Sequence, residues 1–77
     1  MSGKLPENIR KLFLTFKEAV EAERAAQTMY LHAKELSDED VLKEILEGFY
    51  QDEVRHERVL MERYNKLRQE FNIEDEP

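Results

Sequence analysis

No proline interrupts the chain between Pro6 and Pro77, and Gly48 is the only glycine in that span. A backbone with so few breakers, rich in Ala, Leu, Glu, Lys and Arg, favours long helices. Pro6 suits the first turn of a helix and Glu7 its positive end, so a first helix is expected over about residues 6–36. The one internal turn signal is Ser37-Asp38-Glu39-Asp40. It offers a serine cap, acidic residues in the turn that follows, and an S-x-x-D spacing that imitates a capping box. The turn is therefore placed at 37–40 and a second helix at about 39–71, with Gly48 its weak link and Asn72 its C-cap. Residues 72–77 read as a polar tail and Met1 to Lys4 as a frayed terminus.

Two helices of about 30 residues joined by a short turn make an antiparallel hairpin, an all-α fold with one domain spanning residues 1–77. A chain of 77 residues struggles to bury enough apolar surface alone. Disulfides are excluded because there is no cysteine, which also removes thiolate metal sites and cysteine nucleophiles. Metal or oligomerisation remains as the stabilising device. A hairpin with an apolar stripe on each helix buries itself most simply against a second copy, giving a four-helix bundle with two-fold symmetry. At least a homodimer is expected.

With 18 acidic and 12 basic residues the net charge is −6, which argues against nucleic acid or an anionic membrane as partner and favours cations. The longest apolar runs are a few residues, far short of a membrane span, and nothing resembles a signal peptide. A soluble, cytoplasmic protein is expected.

Two acidic residues break the pattern of a solvated surface. Counting 100° per residue from Glu23, the residues within about 60° of it are Ile9, Leu12, Phe16, Ala19, Val20, Ala26, Gln27, Tyr30 and Lys34. Measured from Glu53, the inward positions are Leu42, Leu46, Phe49, Tyr50, His56, Glu57, Leu60, Tyr64, Leu67 and Phe71. A glutamate thus sits at the centre of each apolar stripe. Glu18, Glu21 and Glu35 fall well off it and belong to a solvated face. With Asp38 taken as mid-turn, Glu23 and Glu53 lie at equal distances along the chain on either side of it. Both then stand roughly 22 Å from the turn, facing each other, with His56 one turn farther along.

Two-fold symmetry brings together four carboxylates and two imidazoles, the set that a di-iron carboxylate bundle uses: one Glu from each of two helices and a Glu-x-x-His from each of the other two. Carboxylates bridge two metal ions, and imidazole adds a neutral nitrogen ligand. Glu-x-x-His alone says little in a chain with 14 glutamates. Its placement says more, because unpaired like charges on an apolar stripe are costly. Either they bind metal or they pair with base. Arg24 and Arg55 point about 100° or more away, and Lys34 and Arg63 stand about two turns or more distant, so metal is the better answer.

His32 lies opposite Glu23 and reads as a surface histidine. Tyr30 is a core aromatic or a donor to a metal ligand, and Tyr50 and Tyr64 read as boundary packing. Glu57 is either an accessory ligand or a partner for Arg63 or for an arginine of a second chain, the latter being favoured.

Glu23-x-x-Ala26-x-x-x-Tyr30 followed by Glu53-x-x-His56 resembles half of a rubrerythrin or ferritin-like domain, and the Glu-to-Glu spacing is similar to that of the two-helix encapsulated ferritins. The resemblance covers about residues 12–67. It implies a ferroxidase centre at a subunit interface, with two iron ions per dimer and Glu23, Glu53 and His56 as catalytic metal ligands, and with Tyr30 beside them. It also implies assembly of dimers into a ring. The chain departs from the family where Glu57 replaces a small residue after the histidine, and where Ala22 and Ala25 stand at acidic positions that admit iron. It has no third helix, its tail does not resemble a peptide that targets an encapsulin shell, and it lacks the cysteines of a rubredoxin domain.

The functional expectation is oxidation of Fe(II) to Fe(III) by dioxygen or peroxide at a site shared between two subunits, with manganese or zinc as substitute metals. The alternatives are a rubrerythrin-like peroxidase supplied by an external electron donor and a helical interaction module without metal, whose glutamates pair with a partner's basic groups.

Overall fold

A computed structural model of the chain describes residues 5–72. Helix α1 spans Glu7–Leu36 and helix α2 spans Asp40–Glu70. They pack antiparallel, Phe13 meeting Tyr64 near the open end and Lys34 meeting Glu47 near the turn. No strand occurs among the described residues, and no helix there is long and apolar enough to cross a membrane. The expected terminal segments, 1–4 and 73–77, lie outside the described residues.

Pro6 is the last residue before α1, and its carbonyl accepts from the N–H groups of Ile9 and Arg10 at 3.1 and 3.0 Å. The turn differs from expectation in its chemistry. Ser37 N–H donates to the Lys34 carbonyl at 3.3 Å, closing α1, while Ser37 Oγ accepts from Glu39 N–H at 3.0 Å. The hydroxyl is thus spent inside the turn, on the residue two positions ahead. Helix α2 begins at Asp40 behind Glu39, with no side-chain cap, and the anticipated capping box is not made. At the far end, Phe71 N–H donates to the Leu67 carbonyl and Asn72 N–H to the Gln69 carbonyl. Asn72 adopts φ 54°, the left-handed conformation in which asparagine commonly follows a helix.

The most buried residues are Phe13, with no exposed surface, Val20 and Tyr64. Phe13 packs edge-on against Tyr64 at 5.5 Å and Phe71 at 6.4 Å, and Phe16 meets Tyr64 at 6.3 Å. The Arg68 guanidinium lies 5.9 Å from the centre of the Tyr64 ring. Tyr64 is therefore core, not boundary, and Phe13, well off the stripe centred on Glu23, outranks Leu12, which is 39% exposed.

A seven-residue repeat explains the displacement. Phe13, Val20, Gln27 and Lys34 form one row of α1 and Tyr50, Glu57, Tyr64 and Phe71 one row of α2, and these rows face each other. On a straight helix such rows drift by about 20° per heptad, so a stripe drawn around Glu23 loses the buried row by the time it reaches Phe13. Phe16, Glu23 and Tyr30 make a second row, as do Leu46, Glu53, Leu60 and Leu67, all half-buried. Beyond these lie Leu12, Leu42 and Phe49, each exposed. The hairpin closes along one pair of rows and leaves the rest of its apolar surface open.

Gly48 has open space where a Cβ would stand. Gly48→Ala is therefore expected to stabilise α2 by about 0.5–1 kcal/mol through backbone entropy, read as a rise of several degrees in thermal midpoint.

Candidate metal centre

Glu23 and Glu53 come from facing rows of α1 and α2, and His56 from the next turn of α2. One donor atom from each of the three lies within 4.8 Å of the others. His56 Nδ1 stands 3.4 Å from Glu23 Oε2 and 3.6 Å from Glu53 Oε1. The two carboxylate side chains are about four-fifths buried, at 21% and 20% exposure, whereas the His56 side chain is 50% exposed. The histidine occupies the flank of α2 that the single hairpin leaves uncovered. The cluster is a half-open bowl, floored by two carboxylates and rimmed by an imidazole.

Its electrostatics are unsettled without a cation. Glu23 Oε2 is buried and makes no hydrogen bond, and the basic group beside it is the half-exposed His56 imidazole, with Nδ1 at 3.4 Å. The Glu53 carboxyl is pushed above its ordinary value, first by the adjacent Glu23 carboxylate, with which only a protonated Glu53 can share a hydrogen bond, then by burial and by the Glu23 charge. Nearby His56 acts in the opposite direction. Two carboxylate oxygens, one of them the buried Glu23 Oε2, and one imidazole nitrogen converging within 4.8 Å fit a divalent first-row metal ion.

Glu57 belongs to a different arrangement. Its carboxylate accepts from Gln27 Nε2 at 2.7 Å and from Arg24 Nε at 2.9 Å, which hold it below the ordinary carboxylate value. Within the hairpin, Gln27 and Arg24 thus take the place of Arg63, one of the partners expected from sequence. The stem of Arg24 spans the edge of α1, so its angular distance from the stripe does not keep it from α2. The seven-residue row that contains Gln27 and Glu57 was the signal that could have located this bridge. Arg55 is occupied by Asp52 at 3.0 Å, and Lys34 by Glu47 at 2.7 Å. Tyr30 lies with its ring 5.5 Å from that of Phe49, and His32 is exposed.

A pH dependence follows from these carboxyls. Glu57 is held low by Gln27 and Arg24, and Glu47 by Gln51 and Lys34. Their contribution is present at neutral pH and is lost as pH falls through their folded values. Glu53 is raised, so its contribution is full below the unfolded value of 4.5 and is lost as pH rises through its folded value. Metal-free wild type is expected to gain stability relative to Glu53→Gln as pH falls through the raised folded value of Glu53 toward 4.5. Denaturant titrations of both proteins across that range check the sign.

Compared with family models, with curated proteins and with solved structures, the chain matches none.

Proposed function

We propose that the chain binds iron at a centre completed by a second copy and oxidises Fe(II) to Fe(III) there. The observation that carries this reading is the convergence of Glu23, Glu53 and His56 around a buried carboxylate oxygen with no hydrogen-bond partner. A cation satisfies that oxygen and removes the repulsion between the two glutamates. One hairpin supplies three donors on an open face, and two supply six, enough to hold two ions in the pattern of a carboxylate-bridged bundle.

Fe(II) is the substrate. Two ions lose one electron each, and dioxygen or hydrogen peroxide accepts both electrons with two protons. The chain's own residues do the positioning: Glu23 and Glu53 supply anionic oxygens from opposite helices, and His56 supplies a neutral nitrogen at the rim. The apolar rows above and below, including Phe16, Tyr30, Leu46 and Leu60, exclude water once the face is covered. Manganese and zinc fit the same donors, and a peroxidase reaction draws on the same centre with an external electron donor.

Exposed Leu12, Leu42, Ile45 and Phe49 favour a second reading, a docking module whose face takes a helix of another protein. Aerobic titration with Fe(II), followed in the near ultraviolet with metal analysis, separates the two. The iron reading requires about one pair of ions per two chains, and size measurement with and without iron should show metal favouring the larger species. A protein that takes up no iron is not a ferroxidase.

A further inference from the structure

A polar tie runs beside the two buried carboxylates of the cluster. On α1, Arg24 follows Glu23 in the chain and Gln27 lies one turn beyond it; on α2, Glu57 follows His56 and lies one turn beyond Glu53. Gln27 Nε2 donates to Glu57 Oε1 at 2.7 Å and Arg24 Nε to Glu57 Oε2 at 2.9 Å, so α1 holds both oxygens of a single α2 carboxylate. The same Gln27 nitrogen reaches the backbone carbonyl of Glu53 at 3.5 Å. Glu57 is 23% exposed and is not among the donors that converge with Glu23, Glu53 and His56.

The tie is diagonal. One turn beyond Glu23 leads toward the hairpin turn, whereas one turn beyond Glu53 leads toward the open end, so Gln27 and Glu57 leave their helices roughly 12 Å apart along the axis. Side chains lean toward the N-terminus of their own helix, which in an antiparallel pair brings these two tips together at the level of Glu53. Such a tie resists both sliding and separation of the helices. It has something to resist, because the Glu23 and Glu53 carboxylates stand close together with 21% and 20% exposure and repel when both are charged. Among the described residues the buried core, Phe13, Val20 and Tyr64, lies wholly on the open-end side of the cluster. Apolar burial therefore does not clamp this level by itself.

We propose that Arg24, Gln27 and Glu57 form a positioning brace that holds Glu23 and Glu53 converged before any metal binds. Its purpose rests on the metal reading: donors already in place need less reordering when an ion arrives. The brace acts through the spacing and register of the helices, without touching the ion. Arg24 and Glu57 also cancel in charge, so the tie sets no net cation against the ligands.

The brace can be broken and remade with isosteric residues in the full-length protein. Gln27→Glu sets a second carboxylate against that of Glu57. Adding Glu57→Gln to it restores an amide–carboxylate pair in the reverse sense, with the wild-type net charge. Co(II), whose visible absorption reports coordination geometry, is the metal probe. Amide hydrogen exchange at residues 23–30 and 50–57 reads the brace in metal-free protein. Gln27→Glu is expected to weaken Co(II) binding by about 10-fold or more, to alter the visible spectrum and to speed exchange at those amides, and the double variant to recover all three. The sign is informative, because an added negative charge nearby tightens cation binding on its own; a fall reports lost geometry. Glu57→Gln alone, which keeps an acceptor for both donors, is expected to lie between wild type and Gln27→Glu, and serves if circular dichroism shows that Gln27→Glu has lost its helices. Wild-type affinity and spectrum in the single variants that fold, or a double variant no better than Gln27→Glu, overturns the proposal. Co(II) uptake by wild type and all variants alike defeats only the brace, whereas exchange that follows the break and its repair in a protein taking up no Co(II) defeats only the metal reading.

Discussion

Glu53→Ala protein is expected to lose Fe(II) uptake and oxidation while becoming more stable than wild type in the absence of metal. Glu53 is one of the three residues of the hairpin that could hold a metal ion, and in the proposed shared centre a single substitution would remove two of six ligands. Outer partners of metal ligands alone typically affect affinity by about 10–100-fold, and a ligand itself carries more. Iron oxidation is expected to fall below detection in the near-ultraviolet assay. The gain follows because Glu53 is held against Glu23 with its carboxyl raised by that neighbour. Deleting it relieves a contact that neutral pH makes unfavourable. A structural ion pair behaves oppositely, since losing one partner strands the other. Iron uptake that survives in Glu53→Ala would exclude the proposed centre, and thermal denaturation of the metal-free proteins checks the second half of the expectation.

Phe13→Ala carries the largest expected cost to folding. Phe13 is completely buried and joins the ends of both helices through Tyr64 and Phe71. Truncating a buried phenylalanine costs about 3–5 kcal/mol, comparable to the whole stability of a small domain. A hairpin whose core among the described residues is Phe13, Val20 and Tyr64 has little else to redistribute. Circular dichroism at room temperature is expected to show substantial loss of helix in Phe13→Ala. Leu12→Ala, at the neighbouring position but partly exposed, should be far milder in the single hairpin.

The contrast between those neighbours marks what the sequence carries. Both helices were legible to within a residue or so, because breaker-free segments and one turn cluster leave few other places for the ends. Glu23 and Glu53 were found because equal distances from a short turn put residues at equal height. Phe13 was misplaced because a fixed 100° count ignores the seven-residue drift of packed helices. Ser37 was misread because a hydroxyl shortly ahead of a helix satisfies the turn as readily as it caps the helix. The bridge from Arg24 and Gln27 to Glu57 depends on side-chain reach, to which an angle from a stripe is blind. His56 came to the right neighbours but at the rim, since a single hairpin has only one helix on either side of the bowl.

The three-donor bowl has a kinetic corollary. A complete site at every fold keeps the same specific activity however dilute the protein becomes. When each chain holds half of the ligands, the number of working sites at low abundance follows the square of chain concentration. Halving expression in that regime would quarter the rate of the proposed reaction. The hairpin's open face would then make the proposed reaction a threshold response to how much of the protein is present.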